Sequence, residues 1–157
     1  MGEARAITDR IMDAYIAGDR DALVRLYATD AVAETPDAPR IEGGTAIADY
    51  LMSIKRAFPD VCRESTTRYE SGDTAIDEGF FVGTHTEALI TAEGLDVPPT
   101  GRSLRLRECN IVTVEDGVAV SHRQYFDQLD LMSQLGLMES GGDTGSSRDV
   151  PSTEPSR

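Results

Sequence analysis

Apolar positions recur three and four residues apart at the start of the chain. Ile7, Ile11 and Tyr15, with Met12 beside them, form one helix face that ends at Gly18. Asp19-Arg-Asp21 opens a second, shorter helix with Leu23, Leu26 and Tyr27 as its stripe. Ala31-Val-Ala-Glu-Thr35 reads as a short strand stopped by Pro36 and Pro39. Gly43-Gly44-Thr45 begins a third helix. Its residues Ile47, Tyr50, Leu51, Ile54 and Phe58 follow the i, i+3, i+4, i+7 spacing, and Pro59 closes it.

From Val61 the period changes from helix to strand. Cys62 to Tyr69 is one strand, Gly72-Asp73 a turn, Thr74 to Thr86 a second strand and Ser103 to Val114 a third. Glu115-Asp116-Gly117 is a hairpin turn with glycine where a positive φ is needed. Val118 to Asp127 is the last strand, and Leu129, Leu131, Met132 and Leu135 mark a short helix after it. Helices first and long antiparallel strands second is an α+β plan without internal repeats. Residues 139–157 are Gly, Ser, Thr, Pro and charge, with Val150 the only aliphatic residue. That composition predicts a disordered tail behind a single domain over 1–138.

Composition narrows the function classes. The chain has 157 residues, 39% of them apolar, enough for one domain with a core. A net charge of −13 argues against nucleic acid and anionic membrane surfaces as partners, since both call for a basic face. No apolar run approaches a membrane span, and the first residues lack the apolar centre of a signal peptide, so the expected location is cytoplasmic. Two cysteines without CxxC spacing and two isolated histidines predict no metal site.

The candidate chemistry centres on Asp127. The run Gly117 to Asp127 reads as a strand, so Asp127 shares a face with Tyr125 and Arg123, and Phe126, Gln124 and His122 share the other. A carboxylate placed where a sheet meets a covering element, in an apolar pocket, has a raised pKa and can move protons near neutrality. The alternative is an N-cap for the helix that follows. On 103–114, Glu108 and Asn110 share a parity with Leu104, Leu106, Val112 and Val114. On 74–86, one face holds Ala75, Asp77, Gly79, Phe81, Gly83 and His85.

Several motifs occur in a familiar order. Gly83-Thr-His-Thr86 is followed by Val97-Pro-Pro-Thr-Gly-Arg102, then Glu115-Asp-Gly117, then Asp127 and Gln134-Leu-Gly136. With Ala17 to Val32 and Ala57-Phe-Pro-Asp60, this resembles the SnoaL-like polyketide cyclases of the nuclear transport factor 2 superfamily over residues 4 to 138. The resemblance implies a cone-shaped α+β barrel: a curved, mostly antiparallel sheet around a cavity closed by three helices. It also implies a homodimer paired through the sheet. The implied activity is an aldol ring closure on a polyketide-like small molecule, without cofactor or metal. Its acid/base is the aspartate matching Asp127. Related accessory hydroxylases carry Asn there, and Arg123 departs from a position that is commonly a large aromatic residue.

On this reading Asp127 is the base, and Asn110, Tyr125, His85 and Arg123 are donors for an enolate oxygen. Tyr15, Tyr50, Asp77, Phe81 and Glu108 line the pocket. Each residue has a plainer role beside this one. Tyr15 and Tyr50 suit a core face, His85 a structural hydrogen bond, and Glu108 and Arg123 an ion pair. Asp77 is a second pocket acid or a sign that parity slips on its strand. His122 falls on the face opposite Asp127. Two other functions use the same scaffold: an epoxide hydrolase or epoxide-opening cyclase, with two carboxylates flanking an arginine, and a non-catalytic binding protein.

Overall fold

A computed structural model describes residues 2–91 and 94–138. The expected tail over 139–157 lies outside the described residues. Three helices precede most of the sheet: α1 (Glu3–Ala17), α2 (Arg20–Leu26) and α3 (Gly44–Ala57). The main strands are β1 (Tyr27–Thr35), β2 (Ala38–Glu42), β3 (Cys62–Ser71), β4 (Thr74–Thr84), β7 (Ser103–Glu115) and β8 (Val118–Phe126). A two-stranded ribbon, β5 (Leu89–Ile90) and β6 (Asp96–Val97), lies between β4 and β7, and α4 (Gln128–Gln134) follows β8. The α+β plan is as expected.

The six main strands form one sheet in the order β2-β1-β8-β7-β4-β3. All neighbours are antiparallel except β1 and β8. The sheet is open, with β2 and β3 as edges, so the expected barrel does not close. Pro39 does not stop the chain in extended form. It sits inside β2, where an edge strand tolerates the missing N–H.

One face of the sheet is buried under the helices. β7 shows this most plainly: Leu104, Leu106, Glu108, Asn110, Val112 and Val114 are all buried, and its other residues are less so. On β4 the buried set is Ala75, Gly79, Phe81 and Gly83, the face that the family resemblance favours. Ile7, Ile11, Ala14 and Tyr15 of α1 and Ile47 and Ala48 of α3 complete the core. α1 is tied down at its polar edge as well. Arg5 forks onto both oxygens of Asp77 at 2.6 and 2.7 Å, and Glu70 of β3 accepts the N–H groups of Gly2 and Arg5. Glu70 thereby supplies the anion that a helix N-terminus favours.

Two irregularities set the geometry of the site. Between β3 and β4 the register slips at Thr66, opposite Gly79 and Glu78. A Cβ on Gly79 would overlap the Glu64 carbonyl oxygen, so the close approach of β3 there requires glycine. Between β7 and β8 the turn is as predicted, with Asp116 and Gly117 at φ of 51° and 78°. The ladder then slips, because Val114 pairs with Ala119 but Thr113 pairs with Ser121. Val120 is the extra residue of a β-bulge, and the faces of β8 exchange beyond it.

Candidate active site

The bulge decides which side chains of β8 meet the cavity. Without it, the hairpin about Asp116-Gly117 would bring Arg123 and Tyr125 inward. With it, Glu108 pairs with Phe126, Asn110 with Gln124 and Val112 with His122. Facing residues of an antiparallel pair share a side, so His122, Gln124 and Phe126 point in. Arg123, Tyr125 and Asp127 are exposed on the outer side. This corrects the expected inward set.

Asp127 is the N-cap of α4: one oxygen accepts from Leu129 N at 2.9 Å and Asp130 N at 3.2 Å. The capping alternative describes its position. With Tyr125 it borders a groove on the outer sheet face beside Phe80, Arg107 and Cys109.

The cavity lies between the sheet and the helices. Tyr15, Tyr50, Leu51, Ile54 and Phe58 form its helical wall. The sheet contributes Arg63, Phe81, Leu104, Leu106, Glu108, Gln124 and Phe126, and Asp37, Leu89 and Leu131 close the mouth. Of the expected lining, Tyr15, Tyr50, Phe81 and Glu108 are here. The cavity volume is about 60 Å³, room for a few water molecules.

Glu108 is the buried carboxylate of this cavity. It is 5% exposed, ion-paired to the Arg63 guanidinium, and accepts from Gln124 Nε2 at 2.6 Å. Arg63 reaches in from β3, where it pairs with Phe81 and shares its face. Burial pulls the Arg63 pKa below its ordinary value, opposed by Tyr15, Asp77 and Tyr27 nearby. Desolvation pushes the Tyr15 phenol up and Arg63 pulls it down, with a net rise. At the mouth, Tyr50 donates to Asp37 Oδ1 at 2.8 Å, and the Thr35 hydroxyl also meets that carboxylate. Burial, then the Asp37 charge, push the Tyr50 phenol up.

Asn110 faces inward one pair along from Glu108, and its carbonyl oxygen meets His122 Nε2 at 3.0 Å. Asp77 also faces inward, but Arg5 holds both its oxygens and Arg68 approaches at 3.5 Å, so it serves to anchor α1. His85 is fully buried beyond the end of β4 and does not line the cavity. Its Nδ1 accepts the Thr100 backbone N–H at 3.2 Å, and its backbone bonds Arg102 and Gly101, so it fastens the Pro-Pro-Thr-Gly segment to the sheet. Its Nε2 is buried without a partner among the described residues, and burial lowers its pKa.

Arg63, Gln124 and Asp37 are the functional candidates that the sequence reading missed. Gln124 carried one usable signal: it shares a parity with the large apolar Phe126, whereas the opposite set includes charged Arg123. Arg63 carried none, because its strand is largely exposed and polar. Among the described residues no three His, Cys, Asp or Glu side chains converge as metal ligands, and no helix is long and apolar enough to cross a membrane.

The arrangement matches known folds over nearly its whole length. The structure superposes on IdmH of Streptomyces antibioticus, classed as a polyketide cyclase, with a TM-score of 0.68 and 26% identity, covering 86% of this chain and 99% of that one. A SnoaL-like protein from Jannaschia sp. CCS1 gives a TM-score of 0.74 at 18% identity over 85% and 91%. An LEH-like epoxide hydrolase from M. tuberculosis gives 0.65 at 20% identity over 85% and 89%. These last two likenesses speak to the fold alone. No curated protein matches in sequence. The sequence model of the SnoaL-like polyketide cyclases matches residues 5–135, and the chain belongs to that family.

Proposed function

We propose that the protein is a cofactor-independent cyclase or isomerase acting on a polyketide-like small molecule, with Glu108 as the proton-transfer group. The carrying observation is the position of Glu108: a carboxylate in an apolar cavity, oriented by Gln124 and Arg63. An aldol closure needs a base for an acidic C–H and a donor for the enolate oxygen. Glu108 supplies the first. Arg63, which lines the same cavity, supplies the second. This reading moves the role expected of Asp127 to the strand beside it.

The test is turnover of a poly-β-keto ester by purified variants. Glu108→Gln is expected to lose roughly 10²–10⁴-fold in kcat, the range for removing a general base. Asp127→Ser keeps a capping oxygen and is expected to stay within about two-fold of the parent. Loss of activity in Asp127→Ser with Glu108→Gln unaffected refutes this assignment.

One observation favours a second reading, epoxide opening. Asp37 and Glu108 both line the cavity that holds Arg63, which is two carboxylates and an arginine in one space. Water labelled with heavy oxygen separates the two: the label enters the product of epoxide hydrolysis and stays out of an aldol product.

The homodimer that the family resemblance implies fits the outer sheet face, where Tyr125 is 53% exposed beside Phe80. Tyr125→Arg is expected to give a monomer in analytical ultracentrifugation. An unchanged mass excludes this face as the interface.

A further inference from the structure

His85 stands just past the end of β4, and segment 98–101 folds back against it. The His85 backbone N–H donates to the Arg102 carbonyl at 2.9 Å, and the Gly101 N–H donates to the His85 carbonyl at 2.8 Å. The Thr100 backbone N–H donates to His85 Nδ1 at 3.2 Å, and Thr100 Oγ1 lies 3.1 Å from the same nitrogen. The imidazole also stacks on Phe58, with 5.2 Å between ring centroids. Phe58 in turn meets Phe81 edge to face, and both rings are walls of the cavity.

These contacts fix the proton on the ring. A backbone N–H can only donate, so Nδ1 is the bare nitrogen of a neutral imidazole and Nε2 carries the proton. Turning the ring over would set a C–H against the Thr100 N–H, so the contact selects this orientation. Nε2 is buried and has no hydrogen-bond partner among the described residues. Thr100 is therefore the residue that holds the ring by hydrogen bonds.

A proton added to Nδ1 would face the Thr100 N–H, donor against donor, around a side chain that is fully buried. The elements around the ring carry Lys55, Arg56, Asp60, Glu87 and Arg102 as charged residues. Both oxygens of Asp60 are taken by the N–H and hydroxyl of Thr84, at 2.7 and 2.8 Å. The influences on the ring are burial, which lowers its pKa, and the Glu87 backbone, which opposes this more weakly. The folded value lies below the unfolded one, so the contact is intact at neutrality and is lost on the acid side.

We propose that His85 is a pH-sensitive latch: the neutral ring holds segment 98–101 on the end of β4 and Phe58 in the cavity wall, and the imidazolium releases both. The latch acts on the shape of the wall and holds whichever reaction the cavity performs.

The test uses the full chain. It has two histidines, so nitrogen-15 NMR identifies His85 as the imidazole that remains in His122→Gln. The neutral Nε2–H form is expected at pH 7. Amide exchange, corrected for its intrinsic pH dependence, is then followed from pH 7 to pH 4.5. Protection of the Thr100 amide is expected to fall with the midpoint of the His85 titration, and more steeply than that of Val112 in β7. The Phe58 ring resonances are expected to move with the same midpoint.

His85→Asn is the control. Its carbonyl oxygen takes the place of Nδ1 as acceptor and does not titrate, so Thr100 is expected to follow Val112 over the same range. An Nδ1–H form at pH 7 overturns the inference. So does a Thr100 amide that follows Val112 in the parent, an unmoved Phe58 ring, or the same steep loss in His85→Asn. If His85→Asn does not fold, the three readings on the parent decide alone.

Discussion

What a carboxylate can do depends on where its lone pairs are already committed. Asp127 spends one oxygen on two backbone N–H groups of α4. Asp127→Ala is expected to cost about 1 kcal/mol in urea unfolding, with Asp127→Asn close to the parent, because Asn caps nearly as well. Equal losses in both variants would indicate that its charge, not its cap, matters. His122 gives a second test at this scale. Burial, reinforced by Arg63, lowers its pKa from 6.5 to about 4. The folded value lies below the unfolded one, so its contribution to stability is complete above pH 6.5 and declines as pH falls toward 4. From pH 7 to 4.5 this amounts to about 2 kcal/mol. Unfolding curves at the two pH values are expected to show that loss in the parent and a correspondingly smaller loss in His122→Gln, even if the variant starts less stable.

At the scale of elements, the sheet positions the site through its departures from regularity. Gly79 lets β3 close on β4 where Arg63 must reach Glu108 from the next strands over. Gly79→Ala is expected to destabilise by about 1–3 kcal/mol, an overpacking cost. It is also expected to weaken ligand binding by displacing Arg63. A crystal structure with β3 unmoved would contradict this. Most elements were legible from periodicity: α1, α3 and β7 follow their apolar spacing closely, and the inward face of β7 was readable residue by residue, whereas the alternation on β4 was less decisive and its inward face came from the family resemblance. The face of β8 was not. Its alternation His122, Gln124, Phe126 against Arg123, Tyr125, Asp127 is ambiguous in polarity, and the slip at Val120 has no glycine or proline to announce it. Resemblance identified the family, and the aspartate it matched to the family's acid/base caps α4 beside the outer groove. Arg63 was illegible for another reason. A lone inward arginine on an exposed edge strand gains its meaning only from Glu108, two strands and 45 positions away.

At the scale of the whole molecule, the cavity of about 60 Å³ is small beside the roughly 300–1,000 Å³ of ligand pockets. A ligand larger than a few waters therefore requires part of the wall to withdraw. One lightly anchored part is α4, which contributes Leu131 to the cavity wall and has no fully buried residue. It is held by the Asp127 cap and by a reciprocal pair in which Gln134 accepts from Arg105 N at 2.9 Å and donates to its carbonyl at 3.0 Å. Amides of α4 are expected to exchange with deuterium faster than those of β7, faster still in Gln134→Ala, and more slowly when a ligand fills the cavity. Uniform exchange across both elements would show that the mouth opens elsewhere.

The extra residue in β8 has an evolutionary consequence. Point substitutions at Gln124 or Phe126 change the cavity one side chain at a time. Loss of the single codon for Val120 would remove the unpaired residue and leave His122, Gln124 and Phe126 opposite Val112, Asn110 and Glu108, so the inner face would survive while every position beyond moves by one when counted from the turn. Within a fold of this kind, a one-residue length difference at a bulge thus shifts the numbering without turning the inner face of the strand outward. Alignments that slide over such a gap will assign chemistry to residues that face the wrong way.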